Sequence, residues 1–245
     1  MKTVVISQPM FFPWVGIFEQ IRLCDTFVHY DDVQFSKGGF FNRVQIKTPH
    51  GINWLTVPLK DAKLGQNINK TLIDPSPTWR RKHLELLRQS YAKAPFKTEM
   101  LDLVHAVYGR DHRDLAQLSV DSLETVCRYF GLGQSREFHR SSSLDIPGES
   151  TERVLAIVKR FGGTSYVTGH GARNYFGHEL AESMGIAVEY IDYRKTPYPQ
   201  SHGDFSPFVS ILDLIANVGP SGLQYIHSTT LPWRIFLQNE RAKAA

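Results

Sequence analysis

Residues 29 to 43 read HYDDVQFSKGGFFNR, and they gather a His, two Asp, a Gln, a Lys and an Arg within 15 residues. Asp31 and Asp32 are adjacent carboxylates at the end of an expected strand. Such a pair could hold a divalent cation such as Mg²⁺ against substrate phosphates, or one member could act as a base. Side chains alternate along a strand, so only one of the two would face a given site. His29 is a third candidate for catalysis. Lys37 and Arg43 would neutralise phosphate charge, and Gln34 and Asn42 would add polar contacts. The bland alternative is a charged loop closed by ordinary Asx turns.

A second candidate is TSYVTGHGARN, residues 164–174. Gly169 and Gly171 follow an expected strand and precede an expected helix, where backbone amides can approach an anion. Asp192 ends the following strand about 20 residues later, the place of the ribose-binding acid in a dinucleotide-binding unit. The third glycine of that fingerprint is missing, and Asn174 occupies its slot. Tyr166 and His170 are either ligand contacts or satisfied structural residues. A third candidate is SQPMFFPWVGIFEQI, residues 7–21. Gln8, Pro9, Pro13 and Trp14 form a rigid link at the carboxyl end of the first strand, either a packing corner or part of a site.

The elements that would position these groups follow from periodicity. Thr3–Ile6 is a short apolar strand, and Trp14, Val15, Ile17, Phe18 and Ile21 share one face of a helix. A strand over Phe27–Tyr30 completes a parallel βαβ unit. FNRVQIK and INWLTVPL alternate on either side of TPHG, which predicts a hairpin. Ser76 and Pro77 read as the cap and first residue of a helix over Thr78–Tyr91. A second helix starts near Pro95, and a third spans Asp114–Phe130, stopped by Gly131. SSSLDIPGES is a polar connection. A helix capped by Ser150 or Thr151, a strand over TSYVT, a helix over Tyr175–Met184 and a strand over IAVEYID make a second βαβ unit. Asp192 to Pro207 reads as a long loop of the kind that covers α/β sites. A Pro-led amphipathic helix, FSPFVSILDLIANVG, follows it. Trp79 to His83 would give that middle helix a basic first turn against its own dipole.

These elements predict an α/β fold: a Rossmann-like parallel-sheet core with an inserted helical region and a hairpin. The boundaries fall at 1–60, 61–140 and 141–245, as three regions or as one compact domain. A length of 245 residues with 42% hydrophobic content suffices for a large core. No apolar run reaches the roughly 18 residues of a membrane span. The first residues carry no signal-peptide pattern, so a cytoplasmic location is expected. Cys24 and Cys127 read as two reduced, buried thiols. A net charge of +4 suits an anionic partner: a nucleotide, a phosphosugar or, less favoured, tRNA. Nothing in the sequence points to DNA. No HEXXH, CXXC or Walker loop occurs.

Four segments, QPMFFPWVGIFEQI, DDVQFSKGGFFNRVQIKTPHGINWLTVPL, YVTGHGARNYF and SILDLIANVG, resemble the WbqC-like protein family in order along the chain. The resemblance implies a place in O-antigen, lipopolysaccharide or other surface-polysaccharide biosynthesis. It also implies transfer of glycine or a related aminoacyl group to the amine of a nucleotide-linked amino sugar. The matching positions are Gln8, Pro13, Trp14, Asp31, Asp32, Gln34, Asn42, Arg43, Tyr166, Gly169, Asp213 and Asn217. One departure stands out: Ser7 replaces the histidine usual in the family. More distantly, the opening is similar to nucleotidylyltransferase-like ligases such as pantothenate synthetase, which implies ATP as a cosubstrate. The expected activity is therefore that of an acyl or aminoacyl transferase, or an amide-forming ligase, acting on small molecules. The rivals are a metal-dependent glycosyltransferase and a non-catalytic sugar-nucleotide-binding module.

Overall fold

Thr3–Ser7 has three consecutive buried residues at its centre, the burial of a strand covered on both faces. The computed structural model, which describes residues 1–36, 39–63 and 65–244, makes this strand (β1) the middle of its main sheet. β1 leads into α1 (Val15–Leu23) and returns as β2 (Thr26–His29), parallel to β1. The chain then leaves the sheet for its long insertion. That insertion holds the hairpin β3 (Arg43–Thr48) and β4 (Gly51–Thr56), and the short pair β5 (Leu59–Lys60) and β6 (Leu72–Ile73). Three helices follow: α2 (Thr78–Ser90), α3 (Lys97–Tyr108) and α4 (Leu115–Tyr129). The chain rejoins the sheet as β7 (Glu137–Arg140). The remaining elements are α5 (Ser150–Arg160), β8 (Ser165–Thr168), α6 (His178–Ser183), β9 (Ala187–Asp192), α7 (Ile211–Val218), β10 (Thr229–Pro232) and α8 (Trp233–Ala244).

The strand order is β10-β9-β8-β1-β2-β7, and only β10 runs antiparallel to its neighbour. From β1 the chain winds one way through β2 and β7. It then crosses back and winds the other way through β8 and β9. This is a doubly wound, Rossmann-like α/β sheet, and its direction reverses between β1 and β8. A crevice opens at the carboxyl ends of strands at such a reversal.

Strand alternation divides the core. Val5, Phe27 and Val167 face one side, where Leu87, Val104, Leu123 and Ile211 cover them. Val4, Ile6 and Val28 face the other, against Val154 and Val158 of α5 and Phe236 of α8. Each fully buried side chain of this size contributes about 1.5–3 kcal/mol. The insertion therefore forms one layer of the domain core, and a single sheet draws strands from residues 3 to 232.

Several element boundaries differ from those the sequence predicts. Residues 170–174 form a 3₁₀ turn and α6 begins only at His178, because the Gly177 amide donates to Thr151 Oγ1 at 2.9 Å. α7 is not led by its proline: Val209 bridges to Gln45 of the hairpin as extended chain, and Ser210 caps the helix. In α2 the cap position belongs to Pro77, while Ser76 Oγ accepts from the Thr78 amide at 3.3 Å. Cys24 and Cys127 are free and buried, and burial pushes the Cys24 thiol up to about 12.

Two carboxyls are buried in this framework. Burial pushes Glu19 on α1 up to about 7, with Ser228 and the His227 backbone offsetting part of the rise. Burial likewise pushes Asp213 on α7 up to about 6, although the Tyr91 hydroxyl donates to it at 2.8 Å. Both groups bind protons more tightly folded than unfolded. Their stabilising contribution is full below their unfolded values and is lost as pH rises from about 4 to about 7. Burial lowers His83 to about 4, which acts in the opposite sense over the same window. The carboxyl effect is therefore read against variants. Glu19→Gln and Asp213→Asn should each gain stability relative to wild type across that window, by on the order of 1–3 kcal/mol, measured by denaturant unfolding at stepped pH.

Candidate functional site

The link from β1 to α1 turns on Phe12, whose φ of 37° lies in the left-handed region that bulky residues avoid. Strain of this kind costs about 1–3 kcal/mol and persists only where the surroundings over-determine it. Here the Phe12 amide donates to Ser122 Oγ at 2.9 Å, and Ser210 Oγ donates to the Phe12 carbonyl at 2.7 Å. The Ile211 amide donates to the Pro13 carbonyl at 2.9 Å, and the Phe11 amide to the Phe41 carbonyl at 3.2 Å. Phe11, Phe12 and Pro13 are buried, so this part is a packing corner. Its flanks, Gln8, Met10 and Trp14, line a cavity. The Trp14 indole folds back over α1, and a Cβ added at Gly16 would stand 2.3 Å from its ring. The ring packs on Tyr193 at 4.9 Å and Phe208 at 5.5 Å.

The opposite wall begins where β8 ends. Gln20 Nε2 donates to the Tyr193 hydroxyl at 2.5 Å, and a Cβ at Gly169 would stand 3.2 Å from that oxygen. Glycine here lets the pair close over the turn. His170 Nε2 lies 2.8 Å from the Ile191 carbonyl. A carbonyl only accepts, so Nε2 carries a proton, which in the neutral tautomer leaves the lone pair on Nδ1. Among the described residues, His170 is the one histidine lining the cavity.

The acidic pair divides between two environments. Asp31 is fully buried, and Ser142 donates to it from its amide at 3.0 Å and its hydroxyl at 2.8 Å. Ser141 Oγ lies 3.2 Å from Asp31 and 2.5 Å from Asp32. Asp32 turns into the cavity and forms an ion pair with Arg153 of α5. Burial pushes the Asp32 carboxyl up, but Arg153 and Ser141 outweigh it and hold the group below its ordinary value. Arg153 also donates to the Ile146 carbonyl at 3.0 Å and lies 5.1 Å over the Tyr30 ring. Among the described residues no three His, Cys, Asp or Glu side chains are grouped to share an ion. The oxygens of the pair already face hydroxyls and a guanidinium, a set that does not fit Mg²⁺.

The cavity measures about 1000 Å³ and sits at the carboxyl ends of β1 and β8. It brings together Gln8, Trp14, Asp32, Gln34, Tyr166, Gly169, His170 and Gly171. The other sequence candidates lie elsewhere. His29 is buried beneath α4, with Nε2 at 3.2 Å from Glu124. Asn42 donates to the Val57 carbonyl, and the Arg43 guanidinium lies 4.4 Å over the Trp54 ring. Asp192 pairs with Thr229 at the β9–β10 edge. Asp213 is buried with Tyr91, and Asn217 beside it accepts from Ser201 Oγ at 2.7 Å. Pro13 sits inside the corner, Asp31 behind it at the serine clamp, and Lys37 lies outside the described residues. Sequence reasoning missed Gln20, Tyr30, Arg153, Thr168 and Tyr193, all of which line the cavity. Only Arg153 carries a signal, a charge set within the buried run Arg153–Leu155 of α5.

A mostly parallel sheet wound both ways from β1, with a ligand-sized cavity at its reversal, defines a Rossmann-like α/β protein. The chain belongs to the WbqC-like protein family, whose model matches residues 8–225. That span includes the opening corner, the acidic pair and the glycine turn. The chain is also similar to an uncharacterised protein of Mycobacterium tuberculosis, Rv1507c, with 34% identity over 229 residues, covering 92% of this chain and 98% of that one. No solved structure matches it. No helix among the described residues is long and apolar enough to cross a membrane.

The contact between Trp14 and Gly16 yields a direct test. Gly16→Ala should displace the indole from the cavity wall, seen as a change in near-UV circular dichroism, and cost about 1–3 kcal/mol in denaturant unfolding. An unchanged spectrum and unchanged stability would show that the indole does not fold back over Gly16.

Proposed function

We propose that the protein transfers a glycyl-type acyl group to the amine of a nucleotide-linked amino sugar in surface-polysaccharide biosynthesis. The observation that carries this reading is the cavity of about 1000 Å³ at the strand reversal, with one imidazole in its wall. That volume is at the top of the range for small-molecule sites, which suits a sugar nucleotide together with its acyl donor. Trp14 and Tyr193 offer an aromatic wall to a base. No atom lies within 4 Å of where a Cβ on Gly171 would stand, so a diphosphate has room to approach this turn. Gly148 and Ser150, at the start of α5, line the same cavity and direct the positive end of that helix into it.

His170 Nδ1 takes the proton from the attacking amine. The amine nitrogen bonds to the acyl carbon, and the leaving group departs with its electron pair. Asp32, held ionised by Arg153, is a weak base and orients the guanidinium instead. The metal-dependent glycosyltransferase reading loses its ligand pair for the same reason.

Purified protein incubated with amino sugar nucleotides and an acyl donor, either a free amino acid with ATP or an aminoacyl ester of RNA, should give a product heavier by one aminoacyl residue, with AMP or ADP where ATP supplies the energy. His170→Ala should cut turnover by about 10²–10⁴-fold in protein that circular dichroism shows to be folded. Absence of an amide product from every pairing would overturn the reading.

A further inference from the structure

The basicity of this chain is local. Residues 33–82 hold nine Lys and Arg against two Asp, an excess of seven, whereas the whole chain carries only +4. The rest of the protein is therefore net acidic. Lys60, Lys63, Lys70, Arg81 and Lys82 are all exposed. Among the described residues none of these five makes an ion pair. Uncompensated cations on a surface layer mark the footprint of an anionic partner.

The placement of these charges is specific. Lys60 and Lys63 line a shallow depression of about 430 Å³, with Asp61 and Gly65 in the same wall. Gly65 also lines the main cavity, so the two hollows share this residue in their walls. The same basic stretch of chain carries an aromatic stack. Phe40, 46% exposed, packs on Trp54 at 5.5 Å, and the Arg43 guanidinium covers the same indole. Phe41 and Leu59, the chain neighbours of Phe40 and Lys60, share a small buried cluster with Ile68. That cluster ties together the two chain segments that carry the stack and the lysines.

We propose that this surface binds a single-stranded RNA whose end enters the main cavity past Gly65. Lysines alone would suit any polyanion. The exposed Phe40 ring, packed on the Arg43-covered Trp54, adds a stacking platform for unpaired bases, and a sulfated polysaccharide has no ring to place there. A bilayer, being flat, cannot follow the depression into the cavity. Within the acyl-transfer reading, on which this consequence alone rests, the RNA carries the acyl group as a ribose ester. The amine nitrogen then bonds to the ester carbonyl carbon, the carbon–oxygen bond breaks, and the ribose hydroxyl leaves with the proton. That step consumes no ATP.

Fluorescence anisotropy with a 5′-fluorescein-labelled, unstructured oligoribonucleotide tests the surface independently of turnover. Binding should weaken linearly with the logarithm of salt, with a slope of about −0.7 for each phosphate neutralised. The Lys60→Glu/Lys63→Glu double variant should lose at least about tenfold in affinity. Phe40→Ala, at an exposed position, should weaken RNA binding about fivefold and leave heparin binding unchanged. Wild-type affinity in the double variant, equal losses for RNA and heparin in Phe40→Ala, or equal binding of anionic phosphatidylserine vesicles would each overturn the proposal. RNA binding without any amide product would sink the acyl-transfer reading and leave this surface standing.

Discussion

The strained turn at Phe12 is the constraint on which the rest of the structure depends. Its backbone is held at φ 37° by a hydrogen bond from its amide to Ser122 and another to its carbonyl from Ser210. One partner is on α4 and the other caps α7. The corner therefore forms only when the long insertion and the C-terminal helices have both docked on the sheet. Both hydrogen bonds are buried, and leaving either group unpaired would cost about 1–3 kcal/mol. In return the turn delivers Gln8, Met10 and Trp14 to the reversal between β1 and β8, the one place in this sheet where neighbouring crossovers part. Packing and binding are thus two sides of the same residues: Phe11 to Pro13 point into the core, and their flanks point into the cavity.

Electrostatics closes the same cavity from the other side. Ser141 and Ser142 hold Asp31 in the interior, and Ser141 helps fix Asp32 against Arg153. Two adjacent carboxylates would repel each other if both faced the ligand. Splitting them between a hydroxyl cage and a guanidinium removes that conflict. The pair then serves as a joint between β2, the turn after β7 and α5, and the imidazole of His170 remains as the ring with an unprotonated nitrogen in the site. The position where the family resemblance expects histidine, Ser7, lines the same cavity from β1. One imidazole in this chamber is thus supplied from the β8 side.

The sequence made much of this fold legible. Burial of β1, the amphipathic stripes of α4 and α5 and the turn chemistry of the hairpin are local signals, and each element forms where periodicity predicts it. Gly169 was legible for the same reason, as a glycine between strand and helix. What escaped was long-range. Asp31 is removed from the cavity by serines 110 and 111 residues away, and the polar run SSSLDIPGES reads in sequence only as a connection. Tyr193 reaches the site from a loop with no periodicity, and its partner Gln20 lies on a helix whose polar face reads as solvated. β10 and α8 left no reading at all: β10 is a four-residue antiparallel edge whose pairing partner alone defines it. His29 looked reactive beside two aspartates, but strand alternation sends it to the opposite face, toward Glu124.

A crystal of the protein soaked with a nucleoside diphosphate amino sugar tests the central claim most directly. Density should appear at the carboxyl ends of β1 and β8, with the base against Trp14 and Tyr193, the diphosphate at the Gly169–Gly171 turn and the sugar amine within hydrogen-bond reach of His170 Nδ1. A ligand bound outside this cavity, or turned so that its amine lies away from His170, would contradict the account.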